Sequence, residues 1–273
     1  MTAPRTRRLE YRTLDGFKIV GDLLLPARPV CFAILMHGIA SNRNEYQQFF
    51  RDMATRLAEQ RVATLRFDFR GHGESSGSSK DISIIGEVLD TKASLNEVGK
   101  RWNRQVALVA MSFAAGPAII CAAELGEEVR SLVLLSPVLD YEATFLRPVE
   151  PHMRAVLGSH SLKAFEKTGY VTYDGLKLSA RLVEELRVVR PYNFALDPQT
   201  RILVIHGNRD DIVPFKVSAR YAANSNHSVE FVTIKRGGHG FRDCNDSTGT
   251  SRRSVTNRET ILEKVEQFLL GTE

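Results

Sequence analysis

The chain predicts an α/β fold: a mostly parallel central sheet with helices on both faces and a small cap inserted after the sixth core strand. Three observations predict it. Short continuous apolar runs, such as residues 30–36 and 106–110, have the form of strands buried on both faces of a parallel sheet. Segments with apolar residues at helical spacing separate those runs, and alternating strands and helices give one parallel sheet. From about Leu139 to Ala195 the cadence stops, and it resumes afterwards. The core is therefore expected to be residues 1–137 and 196–273, and the inserted cap residues 138–195.

Taken in order, residues 10–26 read as two strands turning at Asp15-Gly16. Residues 30–36 form the next strand. Residues 44–60 read as a helix, with Phe49, Phe50, Met53 and Leu57 at helical spacing. Residues 62–67 return to a strand, followed by a loop from Asp68 to Ser75 that is too glycine-rich to be helical. A helix over 82–100 leads to the strand 106–110. Ser112 opens a helix to Leu125, and the strand 129–135 closes at Ser136-Pro137. In the cap, Pro148, Pro151 and Pro191 interrupt regular structure, and a small hairpin is expected around Asp174-Gly175 between two short helices. The strand 202–206, a helix from Phe215 and the strand 229–234 follow. The last helix is expected to start at the capping box Thr256-x-x-Glu259 and to end before Gly271. No internal repeat or low-complexity segment is visible.

At 273 residues, with 43% hydrophobic and 25% charged, the composition suits one α/β domain with an insertion. The first residues are basic, but no apolar stretch follows them and no run is long enough to span a bilayer. No transmembrane segment and a cytoplasmic location are therefore expected. Cys31 and Cys121 read as small buried hydrophobes, and Cys244 lies in a polar loop with no visible base. Nothing calls for a disulfide. The net charge is +5, with arginines crowded near the start (Arg5, Arg7, Arg8, Arg12) and late in the chain (Arg242, Arg252, Arg253, Arg258). A solvated surface explains them; so would attraction to an acidic acyl carrier protein or to coenzyme A phosphates. Nucleic acid is not expected, because no recognition motif or aromatic-interleaved basic stripe is present.

Five short signals carry the chemistry. They are Met36-His37-Gly38-Ile39, Ala110-Met111-Ser112-Phe113-Ala114, His206-Gly207-Asn208-Arg209-Asp210, Val213-Pro214 and Gly237-Gly238-His239-Gly240. Ser112 stands where an apolar strand turns abruptly into a helix, which lifts its hydroxyl above the carboxyl edge of the sheet. The pattern departs from Gly-x-Ser-x-Gly, with Ala110 and Ala114 in the small positions. His239, among glycines after the last strand, is the candidate base; its ordinary pKa suits the task. Asp210 is the candidate orienting acid, with Asp140 as the competitor after the sixth strand. The main-chain N–H groups of Ile39 and Phe113 are the expected oxyanion donors. His37 reads as a residue that organises its turn, and Asp68, Arg70 and His72 as a loop holding its own bends. No further ligands stand at useful spacing, so no metal and no cofactor are expected.

The order Ser, Asp, His along the chain goes with the α/β-hydrolase fold. The phrases from Met36 to Glu45, from Arg66 to Ser75 and from His206 to Pro214 resemble those of the bacterial cinnamoyl/feruloyl esterase branch of that superfamily. A more distant likeness is to the acyl-carrier thioesterase of bacterial bioluminescence, carried by the alanine-flanked serine and Asp174-Gly175-Leu176-Lys177-Leu178. The resemblance implies a triad of Ser112, Asp210 and His239 and a cap over an acyl pocket. Phe145, Leu146, Met153, Val156, Leu157, Phe165 and Tyr170 are expected to pack the cap and in part to line that pocket. The expected activity is cleavage of a carboxylic ester or thioester, a small molecule with a hydrophobic acyl or aromatic acid group. An acyl-carrier or acyl-CoA thioesterase or acyltransferase, and a non-catalytic binding module, remain the alternatives. A peptidase would need groups to hold a free amine, and none is identifiable. Haloalkane or epoxide chemistry would want an aspartate where Ser112 stands.

Overall fold

In the computed structural model, which describes residues 5–102, 105–157 and 165–271, eight strands form one twisted sheet. They are β1 (Arg5–Arg12), β2 (Lys18–Leu25), β3 (Cys31–Met36), β4 (Val62–Asp68), β5 (Val106–Met111), β6 (Val129–Leu135), β9 (Arg201–Gly207) and β10 (Val229–Ile234). Their spatial order is β1-β2-β4-β3-β5-β6-β9-β10. β1 and β2 pair antiparallel, as do β2 and β4, and every other pairing is parallel. The chain leaves β3 for β4 on one side and returns past it to β5 on the other. That reversal opens a crevice at the carboxyl ends of β3 and β5, the place where open α/β sheets hold their ligands.

Both faces of the sheet are covered, which is why its strands read as unbroken apolar runs. Ile34, Leu65, Leu108, Leu132 and Val204 face α2 (Ile84–Gly99) and α3 (Ala115–Leu125). Their neighbours Leu35, Val109, Val133, Leu203 and Ile205 face the other way, towards α1 (Phe49–Glu59) and the C-terminal helix α7 (Arg252–Leu270). Each buried aliphatic side chain in these two layers contributes about 1.5–3 kcal/mol of transfer free energy.

Among the described residues between β6 and β9, no strand joins this sheet. The segment holds a π-helical turn (Glu142–Leu146), α4 (Pro151–Leu157), the hairpin of β7 (Tyr170–Tyr173) and β8 (Leu176–Ser179), and α5 (Ala180–Val188). Asp174 and Gly175 both take positive φ, 45° and 79°, as a two-residue hairpin turn requires. Phe145, Met153 and Leu157 are buried, and Leu146 and Phe165 pack against the same apolar layer as α2 and α3. Tyr170 is half-buried, and the side chain of Val156 lies outside the described residues. α6 (Phe215–Asn224) covers β9 and β10.

Two helix starts and the burial of one cysteine differ from the sequence expectation. The last helix begins one turn before Thr256: Ser251 caps it by accepting from the N–H of Ser254, and Asp246 accepts from Ser251 N and Ser254 Oγ. Thr256 lies inside the helix and donates its hydroxyl back to the Arg252 carbonyl. α1 begins at Phe49, because Gln47 and Gln48 adopt left-handed backbone and turn the chain first. Cys31 is half-buried at the start of β3, while Cys121 is buried and Cys244 exposed. No helix of the described residues is long and apolar enough to cross a membrane.

Candidate active site

β3, β5, β9 and β10 run parallel, so the loops leaving them all emerge at one edge of the sheet. That edge gathers Ile39, Ser112, Asp210 and His239. Ser112 follows the fully buried β5 and takes φ +53°, left-handed for a residue with a side chain. Such backbone costs about 1–3 kcal/mol and persists only where neighbours hold it. The neighbours are on hand. The Ser112 carbonyl accepts from Val138 N at 3.0 Å, and the Phe113 carbonyl accepts from the Tyr141 hydroxyl at 2.7 Å. Ala110 and Ala114 are completely enclosed. A Cβ on Gly116 would stand 2.1 Å from the Tyr141 oxygen, so the glycine that this elbow needs lies two residues past Ala114.

Ser112 Oγ donates to His239 Nε2 at 2.9 Å, and His239 Nδ1 donates to Asp210 Oδ2 at 2.8 Å. The directions follow from the carboxylate, which can only accept and so fixes the imidazole proton on Nδ1. Asp210 Oδ1 accepts from the N–H groups of Ile212 and Val213 at 2.9 and 2.8 Å. His206 Nε2 reaches Asp210 Oδ2 at 3.0 Å, and His206 Nδ1 reaches Ser218 Oγ at 2.8 Å. Burial alone would push the Asp210 carboxyl up; His239 and His206 outweigh it and hold the group well below the usual carboxylate range. Burial pushes the His239 imidazole down, but Asp210, followed by Glu45 and Asp211, brings it above its ordinary value. Asp140 is elsewhere. Its carboxylate accepts from Ala143 N at 3.0 Å and caps the π-helical turn.

The loop carrying His239 is held, not loose. Gly238 N donates to the Arg242 carbonyl at 2.8 Å, Phe241 N to the Gly238 carbonyl at 2.9 Å, and Ser136 Oγ to the His239 carbonyl at 3.1 Å. Close approach needs a glycine at the end of β9: a Cβ on Gly207 would lie 2.2 Å from the Gly237 carbonyl oxygen of this loop. Gly38 likewise faces Ser112, with its Cβ position 3.3 Å from the serine Cβ. The N–H of Gly38 donates to Glu45 Oε2 at 2.8 Å, and Ile39 follows it in the turn after β3.

His37 donates from Nδ1 to the Gly38 carbonyl at 2.8 Å and accepts from Phe69 N at 3.1 Å, tying two strand ends together. Asp68 accepts from the amides of Arg43 and Glu74, and Arg70 is paired with Asp15 and Asp90. These residues hold loops. The sequence reading missed His206, Ser218, Glu45 and Tyr141. For His206 a signal existed, since it stands four residues before Asp210 in one phrase. Of the late and early arginines, Arg8, Arg253 and Arg258 are ion-paired within the chain. Beside His239 an open cleft of about 670 Å³ is lined by Arg209, Asp211, Arg242 and Asn245.

Solved structures share this architecture. Est1E from Butyrivibrio proteoclasticus, with ferulic acid bound, superposes at TM-score 0.76 with 21% identity over 97% of this chain and 98% of its own. A putative hydrolase from Agrobacterium vitis S4 gives TM-score 0.77 at 18% identity over 98% and 100%. The Pyrococcus furiosus esterase Pf2001 gives 0.71 at 21% identity over 98% and 91%. No curated protein matches the chain in sequence. The family model for serine aminopeptidase, S33 (Hydrolase_4) matches residues 28–168. With its mostly parallel eight-stranded sheet and that match over half its length, the chain belongs to the serine aminopeptidase S33 (Hydrolase_4) family and has the α/β-hydrolase fold.

Proposed function

We propose that the protein is a serine hydrolase that cleaves a carboxylic ester or thioester through an acyl-enzyme on Ser112. The observation that carries this is the single hydrogen-bonded line from Ser112 through His239 to Asp210, beginning on a left-handed elbow at the sheet's carboxyl edge. His239 Nε2 takes the proton as Ser112 Oγ attacks the carbonyl carbon. The oxyanion lies between the amides of Ile39 and Phe113, where each donor is worth about 3–4 kcal/mol of transition-state stabilisation. The C–O or C–S bond breaks, and the leaving alcohol or thiol takes the proton from His239. Water, deprotonated by the same imidazole, then attacks the acyl-enzyme and releases the acid. Asp210 keeps the imidazole in the productive tautomer throughout.

Residues 138–195 serve in this reading as a cap over the acyl side. Phe113, Phe145 and Tyr173 form an aromatic row from the elbow to the hairpin, with centroids 5.8 and 5.7 Å apart. That row supports a hydrophobic or aromatic acyl group, and the ferulic acid bound to Est1E points the same way. The deciding experiment is hydrolysis of matched oxyesters and thioesters, from short to long acyl chains and including a cinnamoyl ester, with Ser112→Ala as the blank. A chain-length optimum that disappears in the blank is expected. A thioester preference, with rates that fall as salt is added, would identify acyl-CoA or an acidic carrier protein as the donor. Turnover that survives Ser112→Ala would sink the assignment. No turnover, together with no phosphonate labelling of Ser112, would leave a binding module.

A further inference from the structure

We propose that His206 and Ser218 are positioning residues for the Ser112 chemistry, and that Asp210 works as a carboxylate shared between two imidazoles. The proposal rests on the Ser112 reading and extends it by two residues behind the acid.

Donor and acceptor accounting leads there. Asp210 Oδ1 is filled by the amides of Ile212 and Val213. Oδ2 receives His239 Nδ1 at 2.8 Å and His206 Nε2 at 3.0 Å. An ionised carboxylate carries no proton, so both nitrogens must carry theirs. A neutral His206 then has its lone pair on Nδ1, where Ser218 Oγ stands 2.8 Å away and donates. His206 and Ser218 are both fully enclosed, the first on β9 and the second on α6. Phe215 meets the His206 ring edge-on at 5.5 Å and fixes its plane. The line therefore runs Ser218, His206, Asp210, His239, Ser112, across two strand ends, one helix and the His239 loop.

A buried histidine that merely fills space needs one partner for each nitrogen. His206 has the one oxygen on which His239 depends. Its N–H takes up part of the charge on Oδ2, and so limits how strongly Asp210 favours the His239 imidazolium. It also stops the carboxylate from rotating about its Cβ–Cγ bond. Other charged or titratable groups act here too. Glu45 and Asp211 act on His239, Glu150 and Tyr173 sense Asp210, and His152, Arg209 and Arg242 line the cleft beside the imidazole. None of them touches Asp210 Oδ2 among the described residues.

The test is the pH profile of kcat and kcat/KM on an activated oxyester for the wild type, His206→Leu, His206→Gln and Ser218→Ala. In His206→Leu, kcat is expected to fall about tenfold or more with KM nearly unchanged. The acid limb of kcat/KM should move to higher pH, because an uncompensated Asp210 holds the proton on His239 more tightly. Gln places its amide nitrogen where Nε2 stood, so His206→Gln should recover most of the rate and the limb position. A wild-type profile in His206→Leu would overturn the proposal. So would equal losses in the Leu and Gln variants with an unmoved limb, since that is loss of packing alone. Should His206→Leu not fold, the ¹⁵N imidazole spectrum of the wild type decides: His206 should be protonated on Nε2, and Ser218→Ala, which removes the hydrogen bond to the Nδ1 lone pair, should move the Nδ1 resonance downfield while Nε2 stays protonated. Protonation on Nδ1 in the wild type, or no change in Ser218→Ala, would overturn it. The spectrum needs no turnover. It therefore separates a failure here from a failure of the Ser112 reading, which Ser112→Ala measures on its own.

Discussion

Replacing Asp210 by asparagine keeps the shape and changes the donor count. The native carboxylate faces four donors: the amides of Ile212 and Val213 on one oxygen, and the imidazoles of His206 and His239 on the other. An asparagine must point its NH₂ at one of these pairs. Facing the amides, it sets donor against donor, which costs about 1–3 kcal/mol of stability. Facing the imidazoles, it forces His239 to accept on Nδ1 and to carry its proton on Nε2, where it can no longer receive one from Ser112. In an analogous triad that change lowers kcat about 10⁴-fold, or roughly 5.4 kcal/mol at 1.36 kcal/mol per decade. Asp210→Asn is therefore expected to lose about three to four decades of kcat, with KM little changed and Tm lowered. The assay is steady-state hydrolysis of an activated oxyester beside a thermal melt by circular dichroism. A kcat within about tenfold of wild type, in a folded variant, would refute the reasoning and reopen the choice of acid.

Glu45→Ala should release the Gly38 amide and loosen the turn that presents Ile39, lowering kcat about tenfold while Glu45→Gln, which still accepts, largely retains it. Gly116→Ala drives a Cβ into the Tyr141 hydroxyl and should destabilise the fold by about 1–3 kcal/mol, seen as a lower Tm. The acid limb of kcat/KM should lie above the ordinary histidine pKa of about 6.5, since the proposed mechanism needs a neutral His239 and Asp210 favours its charged form. A limb at or below that value would contradict the geometry. The depressed Asp210 carboxyl contributes stability that is full above its unfolded pKa of about 3.9 and is lost as the pH falls through its folded value. An acid titration of Tm against Asp210→Asn reads that difference.

The strands were legible because a sheet covered on both faces demands unbroken apolar runs, and β3, β5, β6 and β9 supply them. Helix starts were less so. Thr256-x-x-Glu259 has the form of a cap, yet a threonine can equally bond back into a helix already begun, and Ser251 with Asp246 caps it earlier. At the candidate site, the hydrogen-bonded grouping of Ser112, Asp210 and His239 was legible from their order and from the turn residues around them. The choice between Asp210 and Asp140 needed distances. Gly116 was not readable as the elbow's glycine, since its neighbour Tyr141 is 25 residues away in the chain. Glu45 was hidden for another reason: it braces a turn in which Ala40, Glu45, Gln47 and Gln48 all take positive φ, and no periodic pattern reports that.

β1 gives the early arginines a second meaning. Among the described residues it is the outermost strand of the sheet, paired on one side only, and its other side offers backbone groups to any strand of like length. Arg7, Arg8, Glu10 and Arg12 are exposed along it. A second copy adding its own β1 there would bring two arginine-rich strands together, and like charges set directly opposite one another across a ladder oppose association. The same residues that raise the isoelectric point thereby guard the border of the sheet, keeping neighbouring molecules from zipping into a shared ribbon at high concentration.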